Sequence, residues 1–300
     1  MRVIVTGAHG LIGQAIASKL RPTAEVISLG RRAGADITVD LRSIREPSDI
    51  SLPRCDALVH CAGVTDEEVK QNAGQALDRA ALGTKALLSA ALAAGAQRAV
   101  YISSAHVYGP LEGEMDETCA ARPTSDYGRA HLAAEQVFKR AAQSSDLSCL
   151  VLRPCAVFGA LKTPTSFSRW GLIPFGFPRA AMRDRCIKLR SAGTQQRNFV
   201  GTQDIATLVE RWLWRPSPAW SVINPVGRVD LSVYEFARLC GALSDTMAQG
   251  NCRVLRPDDG SSQTGEGSAS FRYRSATLAP VGAQRLSQTL RGLMQQIHAP

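Results

Sequence analysis

A phenol, an imidazole and two hydroxyls stand where they can serve one reaction. Tyr127 and His131 lie four residues apart in a stretch of helical pattern, so both side chains share one face. Upstream, the apolar run Val100-Tyr101-Ile102 leads into Ser103-Ser104-Ala105-His106, which carries two hydroxyls to the end of a strand. A tyrosine near a serine can donate a proton to a carbonyl oxygen while the serine holds the same oxygen. Ser104, Tyr127 and His131 are therefore the candidate catalytic residues. Ser103 and His106 are candidate substrate contacts. Tyr127 alone would read as a core residue; what lifts it is the company it keeps.

That company includes Thr6-Gly7-Ala8-His9-Gly10-Leu11-Ile12-Gly13. The run follows the β-branched stretch Val3-Ile4-Val5 and opens an amphipathic segment reaching Leu20. Strand, glycine turn and helix set a pyrophosphate on a helix N-terminus. Gly7 permits the turn, Gly10 admits the phosphates and Gly13 lets the helix close on the strand. The spacing is GxxGxxG. Gly7, His9, Gly10, Leu11, Ile12 and Gly13 are accordingly assigned to a dinucleotide. The second strand ends at Gly30-Arg31-Arg32, where an NAD site would place an acid for the ribose 2′-hydroxyl. Two arginines suit a 2′-phosphate instead, which favours NADP over NAD.

These groups need a scaffold. Strands are expected at 2–6, 25–29, 36–39, 56–61, 98–103 and 148–152, with helices at 11–20, 67–94 and 126–143 between them. The alternation predicts an α/β fold with a doubly wound parallel sheet. From about residue 160 the pattern loosens. Thr163–Arg185, with Pro164, Trp170, Pro174, Phe175, Phe177 and Pro178, reads as a loop folding over a ligand. Helical pattern returns at 202–215, 231–241 and 282–297, and Asp258–Ser270 reads as a polar, mobile loop. The expected division is a dinucleotide-binding domain over 1–160, to which 198–225 returns, and a small C-terminal substrate lobe made of 161–197 and 226–300.

Composition narrows the field. The chain has 300 residues, 45% hydrophobic and 20% charged, enough for a full core. Its apolar runs fall short of spanning length, and it opens on a strand, which predicts a cytoplasmic protein without signal peptide or membrane segment. Eight cysteines form no CxxC pair and no Cys/His cluster of zinc spacing, so no metal site is expected. The net charge of +9 comes from basic residues spread along the chain without interleaved aromatics. That fits a cleft for anionic small molecules better than a nucleic-acid surface.

The motifs together resemble those of the extended short-chain dehydrogenase/reductase family, in its NAD-dependent epimerase/dehydratase group acting on nucleotide sugars. The likeness runs nearly the whole length. TGAHGLIG is similar to the family's TGxxGxxG. The resemblance places Asp40 and Leu41 at the adenine and the strand end with Cys61, Ala62 and Gly63 along the cofactor. It makes Ser104 the counterpart of the catalytic Ser/Thr and Tyr127 the catalytic tyrosine. The segment Arg153–Gly159, with Pro154 and Val157, is placed beside the nicotinamide, and Arg197, in a GxxxRxF-like element, at a nucleotide diphosphate. Three departures stand out. His131 occupies the Lys position of YxxxK, which implies aid to Tyr127 that varies with pH. Ala80 replaces the Asn of NxxGT. Ala105 and His106 follow Ser104 where 4,6-dehydratases carry Asp-Glu, so water elimination is the least expected activity.

The resemblance and the arginine pair imply an NADP(H)-dependent reductase of a keto group on a nucleotide-linked sugar, working as a homodimer. A nucleotide-sugar epimerase with retained NAD, a reductase of a non-sugar ketone, and a non-catalytic dinucleotide-binding sensor or scaffold are the alternatives.

Overall fold

The strand Arg2–Thr6 (β1) is apolar over Val3-Ile4-Val5 because it is covered on both faces there. Val3 and Val5 point to a layer with Ala15, Ile16 and Leu20 of the helix Leu11–Leu20 (α1) and Val209 of the helix Thr202–Leu213. Ile4 points the other way, toward Leu87, Ala134 and Phe138. The computed structural model describes residues 1–31, 33–248, 250–257 and 271–298, with the side chains of Ser166 and His298 left aside.

Beside β1 run Glu25–Gly30 (β2), Ile37–Thr38 (β3), Ala57–His60 (β4) and Arg98–Ile102 (β5). With Ser148–Leu152 and Trp220–Ile223 they form a seven-stranded sheet in the order Trp220–Ile223, Ser148–Leu152, β5, β4, β1, β2, β3. Every pairing in it is parallel. The order reverses direction between β1 and β4, and ligands of such sheets bind outside the carboxyl ends at that switch. A three-stranded sheet of Ala156–Phe158, Gln196–Gly201 and Val229–Ser232 stands beyond that edge. Its core joins Phe199 to Phe175, Phe236, Leu290 and Met294 from the helices Ile173–Arg183, Val233–Met247 and Leu286–His298. Among the described residues no helix is long and apolar enough to cross a membrane.

The expected helix 67–94 is instead four pieces: Asp66–Gln71, Ala73–Asp78, a π-helical turn Arg79–Gly83 and Thr84–Ala93. Asn72 breaks it by turning extended, φ −160° and ψ 99°, with its side chain capping Gln75 N–H. The reading of Thr163–Arg185 as loop fails over its second half. Ile173–Arg183 is a helix with Pro174 in its first turn, where no N–H is missed, and Pro178 inside. Burying Phe175, Pro178, Ala181 and Met182 on one face outweighs the carbonyl bond that Pro178 cannot make. Trp220–Ile223, a half-buried edge strand of four residues, escapes the sequence reading altogether. Asp258–Ser270 lies outside the described residues.

Candidate active site

Tyr127 owes its position to two local features. Ser125 caps the helix Asp126–Ser144 by accepting Gly128 N–H at 3.1 Å. The next residue, Gly128, lies so close to the turn Ala105–Tyr108 that an added Cβ would overlap the His106 carbonyl oxygen. Only glycine allows the helix to approach this closely, and the approach brings the half-buried phenol to Ser104. The Ser104 hydroxyl oxygen accepts His106 N–H at 3.2 Å, which leaves its own proton to donate into the cleft. The His106 ring meets Tyr127 edge-on at 5.8 Å between centroids.

Burial raises the Tyr127 pKa above the usual phenol value, and Asp66 adds to the rise. The Arg169 charge and hydrogen bonding from Ser104 and Arg169 act in the opposite direction. His106 titrates below the usual imidazole value through desolvation and the nearby Arg197 charge, against Asp66. Arg197, half-buried on the strand Gln196–Gly201, donates through Nη1 to the Gln196 carbonyl at 2.7 Å and acts electrostatically on His106.

His131 lies one turn along the helix, its ring 4.5 Å from that of Tyr127. It is buried, and its Nδ1 pairs with the Tyr101 hydroxyl at 2.7 Å. Nε2 is buried without a hydrogen-bond partner among the described residues. Burial, reinforced by His106 and Arg169, pushes the imidazole down to about 3, with only a backbone interaction at Val64 opposing. That interaction does not meet hydrogen-bond geometry, so Nε2 remains open. These surroundings favour the neutral imidazole, against the expectation of an aid to Tyr127 that varies with pH. The sequence placed the imidazole on the right face but could not weigh its burial.

Ser103 is also corrected. Its hydroxyl turns into the core and donates to Glu135 Oε1 at 2.5 Å. Glu135 in turn binds Arg153 through Nε at 3.0 Å and Nη2 at 2.6 Å, both side chains buried. Arg153 also lies over the Tyr108 ring at 4.8 Å. This buried pair fixes the segment leading to Pro154, whose carbonyl accepts Ala105 N–H at 2.9 Å. Glu135 was visible in principle, since it continues the 127, 131 face by four residues.

On the nucleotide side, Gly7 takes φ +64° and Gly10 N–H bonds Gly7 O at 2.8 Å, closing the turn. A Cβ on Gly13 would overlap the Gly7 carbonyl oxygen, so α1 can seat here only with glycine. No side chain caps α1 at Gly10, and its first turn carries no acidic residue. The exposed His9 and Gly10 flank it, with Leu11 and Ile12 following. Ile12 and Val157 both pack against the core cluster that includes Val3, Val5 and Ile16. The strand end Cys61-Ala62-Gly63 is held from both sides. Thr6 Oγ1 accepts Cys61 and Ala62 N–H at 3.2 Å each, and Arg79 Nη2 donates to the Ala62 and Gly63 carbonyls at 3.1 and 3.0 Å. Because Thr6 Oγ1 accepts twice, its proton goes to His60 Nδ1 at 2.8 Å, and His60 carries its own proton on Nε2.

Leu41 is buried, while Asp40 is bound by Arg42 through Nε and Nη2 and lies in the field of Arg31. Arg31 is exposed just past β2, and Arg32 lies outside the described residues. Asp36, the carboxylate that meets β2, is taken by Ser28 N–H and Oγ at 2.8 and 2.6 Å. The sequence reading missed Arg42, Asp66, Arg79 and Arg169. Each reaches the site from a loop or broken helix whose course is set by tertiary packing. Among the described residues no group of His, Cys, Asp and Glu could hold a metal, and all eight cysteines are free thiols.

Known proteins share the family and the fold of this chain. The family described as "NAD dependent epimerase/dehydratase family" matches residues 3–222. A dTDP-6-deoxy-L-talose 4-dehydrogenase (NAD(P)(+)) of Kitasatospora kifunensis is 31% identical over 176 residues, 53% of each chain. A UDP-glucose 4-epimerase of Azospirillum brasilense is 32% identical over 174 residues, 53% of this chain and 50% of that one. The alignment therefore spans about half the length of these curated relatives. A solved structure, MoeE5 in complex with UDP-glucose and NAD, superposes with a TM-score of 0.73 at 25% identity, covering 99% of this chain and 97% of that one. With glycine turn, serine turn and tyrosine helix converging on one cleft, the chain belongs to the NAD-dependent epimerase/dehydratase family of extended short-chain dehydrogenases/reductases.

Proposed function

We propose that this chain is an NADP(H)-dependent reductase of a keto group on a nucleotide-linked sugar. The observation that carries the reading is the Tyr127 phenol standing beside the Ser104 hydroxyl in the cleft onto which the glycine turn opens. The residues fit a dinucleotide. The uncapped first turn of α1 offers free amides at Leu11, Ile12 and Gly13 to a pyrophosphate, and the orphaned His131 Nε2 is a buried polar atom that a ribose hydroxyl would satisfy. Arg31, with Asp36 bound to Ser28 and no free carboxylate among the described residues at the end of β2, supports the phosphorylated ribose of NADP. Leu41, Ala62, Gly63, Pro154 and Val157 line the remaining path in this reading, with Asp40 at the adenine.

When bound, a reduced nicotinamide supplies the hydride for the carbonyl carbon. Ser104 donates a hydrogen bond to the carbonyl oxygen and holds it at the phenol. Tyr127 gives that oxygen its proton as negative charge develops there. Neutral His131 orients the ribose and adds no charge to the proton transfer. Arg197 and His106 are assigned to the nucleotide diphosphate and the sugar. We assign residues 1–160 and 198–225 to the dinucleotide domain and the rest to the substrate lobe, in a homodimer.

The test is NADPH oxidation, followed at 340 nm, across a panel of nucleoside-diphosphate 4-keto sugars. Turnover with at least one is expected; none across the panel would reject the reading. The similarity to a UDP-glucose 4-epimerase favours a second reading, in which the same tyrosine first removes and then returns a proton on a retained NAD. Protein that releases stoichiometric NAD on denaturation and shows no net NADPH consumption would establish that one instead.

A further inference from the structure

The imidazole of His131 is held on three sides. Its Nδ1 pairs with the Tyr101 hydroxyl at 2.7 Å, and its ring meets that of Tyr127 edge-on at 4.5 Å between centroids. On the third side is Gly63, where an added Cβ would stand 3.2 Å from His131 Cε1, the carbon between the two ring nitrogens. Nε2, the other nitrogen, is buried and has no hydrogen-bond partner among the described residues. Tyr101 is itself fixed by packing. It is buried, and its ring stacks on Phe138 at 5.3 Å and on His60 at 5.5 Å, each 25° from parallel. His60 is its register partner on β4, and Phe138 lies on the helix that also carries His131.

Two proton arrangements suit the contact between Tyr101 and His131, and their costs differ. Desolvation favours the neutral ring, which carries one proton. With that proton on Nδ1, the Tyr101 oxygen accepts it. The hydroxyl proton and the Nε2 lone pair are then both buried without partners, because Tyr101 makes no other hydrogen bond among the described residues. With the proton on Nε2, the hydroxyl donates to Nδ1, and of these groups the Nε2 N–H alone remains unmet. Each unmet buried polar group is costly, so the second arrangement is preferred.

We propose that Tyr101 is a positioning residue: its hydroxyl donates to His131 Nδ1, holds the imidazole in the tautomer with the proton on Nε2, and so presents Nε2–H as a fixed donor to a ribose oxygen of the dinucleotide. The proposal rests on the reading of this cleft as a dinucleotide site. Since Tyr127 lies against the same ring, that ribose is the one carrying the nicotinamide. The partner of one imidazole nitrogen decides what the other presents. A donor aimed in advance by packing costs little to order when the ligand arrives.

The test reads the ring nitrogens directly. Long-range proton–nitrogen NMR spectra of nitrogen-labelled protein at neutral pH distinguish a bare ring nitrogen from a protonated one, and the His131 signals are those missing from His131→Gln. Wild type without nucleotide is expected to show Nδ1 bare and Nε2 protonated. Tyr101→Phe keeps the stack on Phe138 and His60, and should move the tautomer ratio toward Nδ1–H by about threefold or more, the scale of one hydrogen bond. The Kd for NADPH should rise by about two- to tenfold in this variant. Adenosine 2′,5′-bisphosphate, which lacks the nicotinamide ribose, should bind as it does to wild type. In the His131→Gln background Tyr101→Phe should cost NADPH nothing further, which a general loosening of the core would not reproduce. Wild-type His131 protonated on Nδ1 would overturn the proposal, a result that requires no variant to fold. So would an unchanged Kd for NADPH in Tyr101→Phe, or an equal loss of affinity for NADPH and the bisphosphate. Wild type with Nε2 protonated that binds neither NADPH nor NADH would keep Tyr101 in its hold on the ring and reject the dinucleotide reading.

Discussion

Lowering the pH from 7 to 5 should weaken the folded state through two imidazoles, His60 and His131. Both are held neutral by burial, each pushed down to about 3, with Arg79 and His131 adding to the effect at His60 and with His106 and Arg169 adding to it at His131. In the unfolded chain each titrates near the ordinary 6.5. Between these values the unfolded state holds the extra proton, so stability is complete above about pH 6.5 and falls steadily as the pH drops toward 3. From pH 7 to 5 each imidazole costs about 2 kcal/mol. The depressed carboxylates, such as Glu68 beside Arg79, lose their contribution only nearer pH 4 and below, which separates the two effects. The assay is urea unfolding at pH 7, 6 and 5 in the wild type, His60→Gln and His131→Gln. Each variant should lose about half of the slope between pH 7 and 5, whatever its stability at pH 7. Histidine NMR signals provide the cross-check: those of His60 and His131 should stay unprotonated down to pH 5 in the folded protein. A flat stability between pH 7 and 5, or a folded-state titration of His131 near 6.5, would refute the reasoning.

Other outcomes follow from single contacts. Gly13→Ala drives a methyl group into the Gly7 carbonyl and should abolish NADPH binding, measured by nucleotide fluorescence, at a stability cost of about 1–3 kcal/mol. Glu135→Ala strands the buried Arg153 guanidinium and leaves Ser103 without its acceptor; chemical denaturation should show a loss of about 3–5 kcal/mol. Arg31→Glu should weaken NADPH at least tenfold and leave NADH nearly unchanged, as read by competitive binding.

What could be read from the sequence is what local structure decides. The run Val3-Ile4-Val5 is apolar at every position because both its faces are covered, and the three glycines announce the turn that follows. Ser104 and Tyr127 are likewise local: one caps the turn after a strand, the other opens a capped helix, and Gly128 next to Tyr127 marks the close approach. What packing decides stayed hidden. Arg169 comes from a loop with no periodicity of its own, positioned by Phe167, Trp170 and Phe175. The helix Ile173–Arg183 carries two prolines that argue against it and persists because its apolar face is buried. Ser103 and Ser104 are indistinguishable by type, and only the fold turns one toward Glu135 and the other toward the phenol.

Replacing the hydroxyl at position 127 by hydrogen offers the most direct trial of the proposed chemistry. NADPH affinity and single-turnover oxidation with the best 4-keto sugar should be measured side by side for the wild type and Tyr127→Phe. The expected result is nucleotide binding within about twofold and a rate lower by roughly 10²–10⁴. A variant that reduces the sugar at the wild-type rate would contradict Tyr127 as the proton donor.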